Sequence, residues 1–90
     1  MTREELKAMP ERTEKLYSGC GASVTKGEFR CWEDASLERD IWNVDAYELM
    51  KALNVETLDD LFKTIKERFS YDTLGAFLKE NSIPFDAYAH

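Results

Sequence analysis

Ninety residues with 43% apolar and 33% charged side chains make one folded domain, residues 1–90, and exclude a chain too polar to bury a core. No apolar run is long enough to span a bilayer and "MTREELKAMPERTEK" holds no leader segment, so neither a membrane partner nor secretion is expected and the expected location is cytoplasmic. The net charge is −6 and uneven: residues 31–60 hold nine acids and two bases, whereas the flanking thirds are close to neutral.

At the N-terminus, Thr2 and Glu5 form a capping-box pattern, and Leu6, Met9, Thr13, Leu16 and Tyr17 recur at spacings of three and four, which predicts a helix from residue 3 to a stop at Gly19. Pro10 kinks this helix or makes it restart, because proline lacks the N–H and clashes with the preceding turn. Next, "GASVTKGEFRCW" predicts one β-hairpin over about 21–32. Turning on Lys26 and Gly27 sets Val24 opposite Phe29, Ala22 opposite Cys31 and Gly21 opposite Trp32, which puts one apolar face inward and Trp32 on the polar face. That turn asks Lys26 for a positive φ, a strain that burial of the apolar face outweighs.

From Asp34 the spacing reads as helical almost to the end. Asp34 or Ser36 caps a short helix with Leu37 and Ile41 on its inner face, Asp45 with Glu48 makes a second capping box, and Ala46, Leu49, Met50 and Leu53 form the buried stripe that follows. Asn54 stops that helix. Thr57 caps the next, with Leu58, Leu61, Phe62, Ile65 and Phe69 inward, and Ser70 or Asp72 caps the last, which ends at Asn81 and Pro84. Phe85 and Tyr88 of the tail pack back on the core. The fold class expected is α+β and mostly helical: an N-terminal helix, the one hairpin, and three or four short helices.

The chain offers little for catalysis. Cys20, Cys31 and His90 are too few ligands for a structural zinc site, no cofactor motif is present, and neither cysteine has a nearby base in sequence, so no catalytic residue is assigned and the thiols read as small apolar side chains. "YELMKALNVETLDDLFK" has the outline of a helix-turn-helix, but Glu56, Asp59 and Asp60 in the first turn of its second helix would face phosphates, so direct nucleic-acid binding is not expected.

The acids remain. On helices, Asp34 and Glu38, and likewise Asp45 and Glu48, would stand about 5–6 Å apart, a spacing that lets carboxylates occupy a groove built for a phosphate backbone. Helix-dipole chemistry accounts for part of the set, since Asp34, Asp45, Glu48, Asp59 and Asp60 lie at or just after expected caps. Trp32 and Trp42 bracket the acids, and an exposed aromatic in a charged rim is the anatomy of a protein-binding site. The expected partner-binding residues are therefore Trp32, Glu33, Asp34, Glu38, Asp40, Trp42, Asp45, Glu48, Asp59 and Asp60. These features point to a non-catalytic acidic inhibitor docking on a basic, nucleic-acid-binding protein; in size and charge alone the chain is similar to the proteins phages and mobile elements deploy against CRISPR or restriction enzymes. An intracellular adaptor or assembly subunit using the same patch is the second expectation, and a helix-turn-helix regulator the third.

Overall fold

A computed structural model describes residues 1–17, 20–35 and 38–89. Four helices and five strands follow in the order α1 (Arg3–Ala8), β1 (Arg12–Tyr17), β2 (Cys20–Thr25), β3 (Glu28–Ala35), β4 (Glu38–Asp45), α2 (Ala46–Leu53), α3 (Leu58–Arg68), α4 (Tyr71–Glu80) and β5 (Phe85–Ala89). The strands form one antiparallel sheet in sequential order, a four-strand meander with β5 returning to pair with β4. The expectation of a mostly helical domain with a single hairpin is thereby corrected, although the fold remains α+β.

The corrections have local causes. Thr2 and Glu5 do form the reciprocal capping box, but α1 ends at Ala8, and Met9 takes an extended conformation (φ −74°, ψ 145°). A residue before proline is pushed out of the helical region by the ring, so Pro10 ends the helix instead of kinking it. "RTEKLY" then alternates, with Arg12, Glu14 and Leu16 on one face and Thr13 and Lys15 on the other, and it pairs with β2. From Glu38 the predicted helix that carries Ile41 is replaced by β4, whose "IWNV" core, rich in β-branched and aromatic residues, pairs along its whole length with β3; the expected stop at Gly19, and Ser36 and Leu37, lie outside the described residues. The tail forms strand β5.

The 20–35 region forms its hairpin in the predicted register: Val24 opposite Phe29, Ala22 opposite Cys31, Gly21 opposite Trp32. Lys26 (φ 51°) and Gly27 (φ 79°) both adopt positive φ, as a two-residue primed turn requires. A lysine there costs about 1–2 kcal/mol. The register it permits buries Val24 and Phe29 almost completely, at about 1.5–3 kcal/mol each, so burial wins.

Alternation sorts the sheet into two faces. Ala22, Val24, Phe29, Cys31 and Val44 point to one side and share a core with Leu49, Met50, Leu53, Leu58, Leu61, Phe62, Ile65, Leu74 and Leu78 from the helices. Phe29 meets Phe62 at 6.4 Å between ring centroids. Helix α3 lies over edge strand β1, where Arg12 stacks on the Phe62 ring at 5.1 Å and Lys66 donates to Glu14 at 3.0 Å. The Ala46 N–H donates to the Gly27 carbonyl at 2.9 Å and pins α2 to the hairpin turn. Asp45, Thr57 and Ser70 cap α2, α3 and α4 as predicted, and Asn54 closes α2 in the left-handed conformation.

Candidate protein-binding surface

The opposite face of the sheet contributes no residue to the core cluster, and the register arranges it in rows. One row is polar throughout: Thr13, Ser23, Arg30, Asn43 and Asp86, one residue from each strand. The next row reads Lys15, Gly21, Trp32, Ile41 and Tyr88. Trp32 thus occupies the central strand, with Ile41 and Tyr88 at the register positions beside it. A Cβ at Gly21 would meet the Trp32 ring at 2.7 Å, so the missing side chain is what lets the indole lie flat across the neighbouring strand. The ring is half-buried by this stacking. Beyond the row, the β3–β4 hairpin continues with Glu33 opposite Asp40, Asp34 opposite Arg39 and Ala35 opposite Glu38.

Trp42 is placed differently. It pairs with Cys31 on the helix-covered side and packs partly buried against the core, 6.1 Å from the Phe85 ring. A Cβ on Gly75 would reach its ring at 2.8 Å, so α4 rests directly on the indole through a glycine.

The structure divides the predicted acids into three groups. Glu33, Asp34, Glu38 and Asp40 occupy the far end of the β3–β4 hairpin, on strands and not on a helix, which removes the helical Asp34–Glu38 pair. Asp45 and Glu48 stand at the other end of β4, roughly 20 Å from Glu38 at strand rise. There one guanidinium serves both: Arg3 binds Asp45 and, at 3.2 Å, Glu48, while stacking over Tyr47 at 4.7 Å. The hydrogen bond to Asp45 raises the Arg3 pKa above its ordinary value. Asp45 also accepts the Glu48 N–H as a cap, but the Glu48 carboxylate turns to Arg3 instead of closing a capping box. Asp59 forms the third group with Asp60 on α3, and it is paired with Arg12. Asp60 is exposed and makes no ion pair among the described residues.

Asp45, Glu48 and Asp59 are thus engaged within the fold, and Glu33, Asp34, Glu38 and Asp40 share the register positions of the hairpin end with Arg39. Sequence reasoning overlooked Ile41 and Tyr88 as neighbours of Trp32. The signal was the two-residue alternation in "DIWNVD" and "FDAYA", hidden by the helical spacing of Leu37 and Ile41.

Cys20 lies opposite Glu33 and Cys31 opposite Ala22, so the two sulfurs are offset by two residues on adjacent strands; both are thiols and no disulfide joins them. Among the described residues no three His, Cys, Asp or Glu side chains converge as metal ligands, and no helix is long and apolar enough to cross a membrane. His90 lies outside the described residues. No protein family, curated protein or solved structure matches the chain.

Proposed function

We propose that the protein is a non-catalytic acidic inhibitor that docks on the basic surface of a nucleic-acid-binding protein. Its contact surface is the open sheet face around Trp32 together with the acidic end of the β3–β4 hairpin. The observation that carries this reading is the register of that hairpin: Glu33 stands directly opposite Asp40, one step beyond a half-buried tryptophan on the central strand. Like charges opposed across a strand pair cost stability. A chain tends to keep such a conflict where a site repays it, and a cationic partner would turn the repulsion into attraction. Trp32 supplies the apolar anchor, and Arg30, Asp86 and Thr13 the polar rim.

In this reading the acids steer the encounter and Trp32 holds the complex. The test uses proteins captured by the immobilised chain from its native host, assayed for nucleic-acid binding with and without it. Displacement of bound nucleic acid, lost in the Asp34→Lys/Glu38→Lys/Asp40→Lys variant, supports the proposal. Capture of proteins that bind no nucleic acid, or capture unaffected by the triple variant at low salt, contradicts it. Because Asp45, Glu48 and Asp59 are already paired inside the fold, an adaptor that uses Trp32 on a partner without a basic groove is the second reading, and the same displacement assay separates the two.

A further inference from the structure

On α4, Asp72, Gly75, Ala76 and Lys79 stand at positions i, i+3, i+4 and i+7 and so share one stripe beside the buried Leu74 and Leu78. Beside the contact between Gly75 and Trp42 lies a recess of about 360 Å³, lined by that stripe, Trp42 and Phe85. Its floor is aromatic, the two rings tilted at 56° with centroids 6.1 Å apart. Asp72 is exposed at one end and makes no ion pair among the described residues. Lys79 stands two turns further along, about 10 Å away along the axis.

We propose that this recess binds an arginine side chain of the partner protein, its guanidinium laid over Trp42 and Phe85 with Asp72 as counter-ion. Aromatic faces attract cations through the ring quadrupole, and a planar guanidinium both stacks on a ring and offers a carboxylate paired N–H groups, which the compact ammonium of lysine cannot do. The volume is at the lower end of ligand pockets, about 300–1,000 Å³, enough for one side chain. Of the two charged side chains that line the recess, Asp72 favours a cation and Lys79 stands at the far end, and the net charge of −6 disfavours an anionic occupant. The inference rests on the basic-partner reading and adds a second contact on the other side of the sheet from Trp32.

The experiment titrates N-acetyl-arginine N-methylamide into ¹⁵N-labelled protein and follows the Trp42 indole N–H, assigned with Trp32→Phe, with the citrulline analogue as the uncharged control. A saturable shift at Trp42, about tenfold weaker for citrulline, weakened several-fold by Asp72→Asn and strengthened by Lys79→Ala, is expected. Equal responses to arginine and citrulline, a response unchanged in Asp72→Asn, or no saturable shift at Trp42 overturns the proposal. The hairpin triple-lysine variant separates this from the function: it should keep the arginine response while losing the partner. An arginine response without any basic protein partner would sink the proposed function and leave the recess standing. Partner binding with no arginine response would do the reverse.

Discussion

Trp32 and Trp42 belong to neighbouring strands of one hairpin, yet they end on opposite sides of the sheet. Each lies against a glycine, Gly21 for Trp32 and Gly75 for Trp42, but the first glycine is in an adjacent strand and the second in a helix. Trp42 is therefore held between the sheet and α4, while Trp32 lies across the neighbouring strand at Gly21. Strand parity alone makes the difference, since a shift of one residue exchanges the faces. Packing against α4 and the core falls to Trp42, and the face away from the core to Trp32.

The largest expected effect breaks that comparison most sharply. Trp42→Ala opens a cavity beneath α4 and should cost about 3 kcal/mol in denaturant unfolding, whereas Trp32→Ala should cost about 1 kcal/mol or less. Similar losses for both would mean the two faces are equally part of the core. Next come the glycines. Gly75→Ala pushes a Cβ into an indole with little room to move and should destabilise by about 1–3 kcal/mol. Gly21→Ala forces the Trp32 ring off the sheet, so its stability cost should be the smaller one, while the fluorescence of Trp32 should shift toward that of a solvated indole. A blue shift there would show that something already covers the open face.

Much of the hairpin and nearly all of the helix ends were legible in the sequence, because those signals are local. Thr2, Asp45, Thr57 and Ser70 bond to N–H groups three residues on, and Asn54 tolerates the left-handed conformation. The Gly21–Trp32 pairing followed from alternation over a short turn. Strands β1, β4 and β5 were not legible for the opposite reason. "RTEKLY" is mostly polar, and what makes it a strand is β2 beside it and α3 above it, through contacts such as Arg12 with Asp59 and Lys66 with Glu14. In "ERDIWNVD" the apolar residues fit a short helix as well as a strand, and only pairing with β3 and β5 decides. The acids followed the error: a row imagined on helices became three separate groups.

The smallest expected effect concerns the covered edge, at β1. The hydrogen bond from Lys66, and then the one from Arg12, lowers the Glu14 pKa below its ordinary value of 4.5. A carboxylate depressed in the folded state contributes stability that is present above its unfolded value and lost as pH falls through the folded one. Stability should therefore decline from about pH 4.5 downward, and Glu14→Gln should be less stable than the parent at neutral pH but flatter over that range. An acid limb identical in the two proteins would show that the α3–β1 ion pairs contribute nothing measurable. At the open face, by contrast, the expectation is about partners: no measurable affinity for duplex or single-stranded DNA at physiological salt, since the middle of the chain repels phosphates.

The most direct measurement is the association rate with a captured basic partner as a function of salt, for the parent, the Asp34→Lys/Glu38→Lys/Asp40→Lys variant and Trp32→Ala. Steering by the hairpin acids predicts a slower association for the lysine variant at low salt, converging on the parent as salt screens the field, while Trp32→Ala associates normally and dissociates faster by about tenfold or more at every salt concentration. Equal association rates for the parent and the lysine variant at low salt, with Trp32→Ala dissociating like the parent, would contradict the account.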